Sequence, residues 1–196
     1  MRWLTAMLVG MTLAVGWVTK AEAANPSSSE TIRIGDGPPK RLVPYRVIPM
    51  EDFAAFAKDW DNRDGFIYPT RTAVIRNRED WDEVFAPAVV MGDKRPVAPD
   101  EAFFEKETLL VVAKVTPPAP EGKNNLSPWR LVGPVGKDGV WLTLLYCHDV
   151  PETGNATKMK EGMLVKNVLL VAVKKDEVPA NDKAIGFTWT IPKTDS

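Results

Sequence analysis

Residues 109–113 read Leu-Leu-Val-Val-Ala, five apolar residues in a row. A strand turns successive side chains to opposite faces, so five consecutive apolar residues are buried only if both faces are covered. The run therefore predicts a strand near the middle of a sheet, with a layer packed on each side. The residues before it fit that centre. Residues 70–76 predict a strand, 78–85 a short amphipathic helix, and the Pro- and Gly-bearing stretch 86–100 a connection. Asn77 stands where the helix needs an N-cap, with Asp80 three residues on to reach back, and Trp81, Val84 and Phe85 fall on one side. Asp100 is placed to cap a second short turn that carries Phe103 or Phe104 inward.

Working outward, residues 41–48 have strand character broken by Pro44, which suits an edge strand. Residues 51–60 place Phe53, Phe56, Ala57 and Trp60 at helical spacing, with Glu51 and Asp52 in the first turn, and predict a helix packed on the sheet. Residues 59–67 resemble a calcium loop only superficially. Aligning Gly65 with the loop's invariant glycine puts Trp60 and Arg71 where carboxylate ligands belong, so a turn ending the helix is expected. Residues 129–135 and 140–148 flank Gly136-Lys137-Asp138-Gly139 and predict a hairpin. In its second arm Val140, Leu142, Leu144, Tyr146 and His148 share one face; Trp141, Thr143, Leu145 and Cys147 share the other. Residues 163–174 and 185–191 complete the strands. The sum is an α+β fold: a mostly antiparallel sheet of six or seven strands with two short helices packed on it, the links being too short for helical crossovers.

The N-terminus has a different character. Arg2 precedes an apolar stretch over residues 4–18, and Ala21-Glu22-Ala23 supplies the small-x-small pattern of a signal cleavage site. The apolar stretch falls short of the ~20 residues that span a bilayer, so residues 1–23 read as an export signal cleaved after Ala23, leaving no stable membrane span. Residues 24–40, rich in Ser, Pro and Gly, read as a flexible arm, and 41–196 as a single globular domain. Secretion or a periplasmic location follows from that reading.

Composition excludes several functions. Removing residues 1–23 takes Arg2, Lys20 and Glu22, leaving 23 basic against 25 acidic residues. Without a basic excess or a long Lys/Arg cluster, nucleic acid is not an expected partner. The single cysteine, Cys147, forms no internal disulfide, so the core alone must stabilise the fold. The single histidine, His148, rules out zinc sites built on two or three histidines. A thiol- or histidine-dependent enzyme or redox protein would have to use Cys147 and His148, yet neighbours on a strand point to opposite faces. Cys147, His148, Met159 and Met163 are also ligand types favoured by copper, though no Met-x-x-Met or Cys-x-x-Cys pattern occurs. No phosphate-binding or esterase motif is present, and no cofactor is expected.

One resemblance bears on function. The order of a Val-Ile strand, Trp81 in a short helix, Pro99-Asp100, Phe103-Phe104 and Glu107, then the apolar run, resembles the C-terminal domain of the protease-complex-associated PrcB family over residues 70–115. The resemblance implies a small α+β domain of an exported bacterial protein that acts as an accessory to a protease complex. The expectation is an exported, non-catalytic accessory or protein-binding domain whose partner is another envelope or secreted protein.

Overall fold

The computed structural model describes residues 31–32, 39–58, 70–88, 90–116, 126–135, 141–148 and 165–190. In chain order the first strands are β1 (Thr31–Ile32), β2 (Lys40–Leu42), β3 (Arg46–Ile48), β4 (Ala55–Ala57) and β5 (Thr70–Ile75). Helix α1 (Arg78–Val84) separates β5 from β6 (Phe85–Pro87), and α2 (Glu101–Lys106) leads directly into β7 (Glu107–Thr116). Then come β8 (Leu126–Pro134), β9 (Leu142–His148), β10 (Val165–Lys174) and β11 (Ile185–Trp189).

The α+β class and the two short α-helices are as expected, but the strands do not make one sheet of six or seven. Eleven strands among the described residues form a five-stranded sheet (β1-β2-β8-β9-β11), a four-stranded sheet (β3-β10-β7-β5) and a ribbon (β4-β6). Of the additional strands, β1, β4 and β6 are only two or three residues long, too short to show an alternation, and β2 and β3 divide the one strand expected over residues 41–48. Two of them touch the segment expected to be a flexible arm, since Thr31 pairs with Arg41 and Ile32 with Lys40.

Strand β7 is the centre that residues 109–113 predicted. It pairs antiparallel with β10 along its length and with β5 on its other side. Its Leu110 and Val112, with Leu169, Val171 and Val173 of β10, meet Leu126, Leu131, Leu142, Leu144 and Tyr146 of the five-stranded sheet. Its Leu109 and Val111, with Leu170 and Ala172, face the opposite way onto Phe53, Trp81, Phe85 and Phe104. The molecule thus has three layers, with the four-stranded sheet in the middle. No residue from Leu109 to Ala113 is more than 1% exposed, and the burial of each Leu and Val side chain among them contributes ~1.5–3 kcal/mol.

The segment around Pro44 is not one edge strand. Val43, fully buried, ends the first half with a bond from its N–H to Leu131 O (2.8 Å), and the chain then crosses to the other sheet. Accordingly β2 lies between β1 and β8, while β3 is the edge of the four-stranded sheet beside β10. Proline lacks the N–H that a continuing ladder would need, and the break becomes a change of layer. One parallel pair also occurs, β9 with β11. The connection between them, residues 149–184, passes through β10 in the other sheet, with no α-helix among its described residues.

Residues 51–60 do not form the expected helix. Only Met50–Asp52 make a 3-10 turn, with Pro49 at its N-cap and no capping side chain; Ala55–Ala57 is strand β4. Phe53 and Ala57 are buried while Phe56 is half exposed, so the four-residue spacing that suggested one stripe is not realised. Charge in a first turn is worth only ~0.3–1 kcal/mol. Pairing of Ala55, Phe56 and Ala57 with Pro87, Ala86 and Phe85 outweighs it. Trp60 and the residues compared with a calcium loop lie outside the described residues.

Both caps form as read. Asn77 Oδ1 accepts from Asp80 N–H at 2.9 Å, and Asp80 reaches back to Arg76 N–H at 2.7 Å, one residue before the cap itself. Asp100 accepts from Phe103 N–H at 2.8 Å, and Phe104 is the aromatic turned inward.

Candidate functional site

Cys147 lies in β9 opposite Ser127 of β8 and is buried, 6% exposed. The adjoining His148 is opposite Leu126 at the end of the strand. Cys147 stands within electrostatic reach of Tyr45: burial first, then Cys147, raises the tyrosine's pKa above its ordinary value, and Arg130 opposes the rise. A reactive thiol needs an accessible, electropositive setting that favours thiolate. Cys147 has burial instead. Met159 and Met163 lie outside the described residues, and among the described residues no three or more His, Cys, Asp or Glu side chains gather where they could hold a metal ion. No helix among them is long and apolar enough to cross a membrane.

Two of the described tryptophans share the outer face of the five-stranded sheet. Trp129 sits at a register shift in β8, where Arg130 stacks over its ring at 4.8 Å. Trp141 lies on the outer face of the five-stranded sheet, with Lys40 at 5.9 Å from its ring; both indoles pack against the cluster of Leu42, Val132 and Leu145. At the end of the sandwich Arg41, Gly133, Trp141, Asp176, Glu177 and Pro179 line a cleft of about 210 Å³. Its arginine is already engaged by Glu177, in bonds of 3.2 and 2.5 Å. A Cβ at Gly133 would press on Val43 Cγ2 at 3.3 Å, whereas the Arg41 guanidinium would stand in ordinary contact at 3.9 Å. The cleft is small beside the ~300–1,000 Å³ of typical ligand sites.

The surface feature with the most unusual chemistry is a turn over residues 90–93. Asp93 N–H closes it on Val90 O at 3.1 Å, and Gly92 takes φ +83°, the third position of a type II turn, where a side chain would be strained. Met91 at the apex is completely exposed, and Val90 is 61% exposed. Apolar residues so placed usually belong to slack loops, but this one is clamped. Asp93 receives Arg95 Nε at 3.0 and 3.1 Å, Nη2 at 2.6 Å and the Arg95 backbone N–H at 3.0 Å. Those bonds hold its carboxyl down to about 2, the side-chain bond being the larger cause.

The clamp is tied to the body of the protein. Arg95 Nη1 donates to Glu51 O at 2.9 Å, Ala54 N–H to Pro96 O at 2.8 Å, and Ala88 N–H to Ala54 O at 2.8 Å. Deeper still, the indole N–H of Trp81 donates to Val97 O at 3.0 Å. Trp81 is wedged between Phe53 and Phe85, at ring distances of 5.0 and 4.3 Å. The segment that follows the turn is thus joined to the aromatic core by one partly buried hydrogen bond. Beside it, Phe56 of β4 is 53% exposed and Val97 36%.

Sequence reading passed over this turn because residues 86–100 carry three prolines and looked like a mere connection. The signal it missed is the apolar triplet Val89-Val90-Met91 directly before Gly92-Asp93, which a solvated linker has no need of. No family model, no curated protein and no solved structure matches the chain.

Proposed function

We propose that this chain is an exported, non-catalytic domain that binds another protein through the turn at residues 90–93. The observation that carries the reading is Met91, wholly exposed on a turn whose Asp93 is hydrogen-bonded by Arg95, which in turn donates to Glu51 O. Holding an anchor in place before binding reduces the entropy lost on association, and a thioether adapts to irregular apolar pockets. The burial of Cys147 supports a role other than nucleophile for the thiol. Export rests on the N-terminal pattern ending at Ala23, and the resemblance of residues 70–115 to the PrcB family implies an accessory role of the same kind.

The test is positional crosslinking. A benzophenone-bearing residue is placed at position 91, and in a separate variant at the exposed Lys174, in cells that express the full chain. A discrete adduct from position 91 and not from 174 is expected in the envelope or secreted fraction, with an N-terminus at Ala24. Equal labelling from both positions, or none from 91, overturns the reading.

A further inference from the structure

The sheets end in edges of unequal character. Strand β1 has two residues; β3 has three, includes Arg46 and lies between Pro44 and Pro49. Strand β5 carries Arg71 and follows Pro69. Short length, charge and proline are the devices that keep solvent-facing edges from pairing. Strand β11 has none of them within its own span: Ile-Gly-Phe-Thr-Trp is five residues long, uncharged and free of proline, with Lys183 two residues before it and Pro192 three residues after. Among the described residues no strand pairs with its outer side, and Trp189 is 49% exposed.

The outward-facing backbone groups follow from one bond. Thr190 N–H donates to Tyr146 O at 2.9 Å. Backbone direction alternates along a strand, so Thr188 and Gly186 also bond toward β9, while Ile185, Phe187 and Trp189 aim their N–H and C=O groups outward. We infer that this edge pairs with the same edge of a second copy, antiparallel and centred on Phe187. In that register the outward residues meet one another: Phe187 faces Phe187 of the second copy, and Trp189 faces its Ile185. Each such pair exchanges both backbone hydrogen bonds. No ionisable side chain lies in residues 185–189, so no like charges oppose across the two-fold axis. The same uncharged pattern read in both directions is what makes the second copy the fitting occupant. The contact is isologous and uses up both edges, which gives a closed dimer and not a fibre.

The experiment is sedimentation or light scattering of the purified protein, expressed from the full chain, over a dilution series. The wild type is expected to move toward twice its monomer mass as concentration rises. Trp189→Pro deletes an N–H that bonds nothing within its own sheet, at an edge position where proline is tolerated, and should weaken dimerisation by about tenfold or more. Thr188→Lys keeps the bonds to β9, brings two ammonium groups to the axis, and should weaken it likewise. Trp189→Phe retains both ring and N–H and should dimerise. Far-UV dichroism of each variant reports whether the fold is kept. A wild type that stays monomeric throughout, or a folded Trp189→Pro or Thr188→Lys that dimerises as well as the wild type, overturns the proposal.

Discussion

The two apolar layers on either side of the four-stranded sheet are built differently. The layer toward the five-stranded sheet is almost wholly aliphatic, with Leu110, Val112, Leu131, Leu144, Leu169 and Val171 meeting strand on strand. The layer on the other side is aromatic, with Phe53, Trp81, Phe85 and Phe104 as large pieces set on Leu109, Val111 and Leu170. Each layer also holds a buried polar group, and these are treated in opposite ways. The indole N–H of Trp81 has its acceptor in Val97 O, while the hydroxyl of Thr108, fully buried, has no partner. By strand alternation Thr108 faces the aliphatic side, two residues before Leu110 and opposite Val173. The aromatic layer thus uses its polar group to hold a surface loop, and the aliphatic layer tolerates one at a cost.

The sharpest way to break the aromatic side is Trp81→Ala. It removes a side chain that is 1% exposed and touches two rings, and large-to-small changes of this kind cost ~3–5 kcal/mol. It also leaves Val97 O without its donor. Urea unfolding should show the loss in the midpoint. Amide exchange should also show the segment at residues 90–97 opening more readily than β7. If that segment stays as protected as in the wild type, the turn does not depend on the aromatic core.

The opposite sign is expected on the aliphatic side. Thr108→Val keeps the side chain's shape, removes an unpaired hydroxyl and adds a methyl group to an apolar layer. An unsatisfied buried polar group costs ~1–3 kcal/mol, so the variant should gain about 1 kcal/mol with the urea slope unchanged. A loss of stability would mean that the hydroxyl serves a bond that the contrast between the layers does not admit.

The same contrast explains what the sequence made legible. The aliphatic layer is written in runs and alternations, and Leu109 to Ala113, Leu142, Leu144 and Tyr146 were placed on their faces from spacing alone. Caps are local chemistry, so Asn77 and Asp100 could be read from a few residues. The aromatic layer is assembled from distant pieces, and nothing near Phe53 announces that it will rest on Trp81. A helical stripe was therefore inferred where a short strand stands. The split at Val43 and the crossover through β10 were invisible for a related reason: which sheet a strand joins depends on partners far along the chain. The exposed turn escaped because its hydrogen bonds join Arg95, Asp93 and Glu51, and exposure is not encoded in any one of them.

The smallest effect tests that turn alone. Asp93 is held down to about 2 by Arg95, below an ordinary carboxylate near 3.8. For a group whose folded pKa is depressed, the stabilisation is present above the unfolded value and is lost as pH falls through the folded one. The clamp should therefore be intact at neutral pH and still largely closed near pH 3, and it should release as pH approaches about 2. Because the pair is open to solvent, salt should weaken it while leaving the neutral backbone bonds from Ala54 to Pro96 and from Trp81 to Val97 in place. The amide resonances of Met91 and Gly92 report this directly. A shift with a midpoint near 2 that moves upward in high salt is expected; a midpoint near 4 would mean that Asp93 is unpaired in solution and that Met91 stands on a loose loop. Global unfolding by acid should be nearly insensitive to Asp93→Asn, since the layers beneath hold without it.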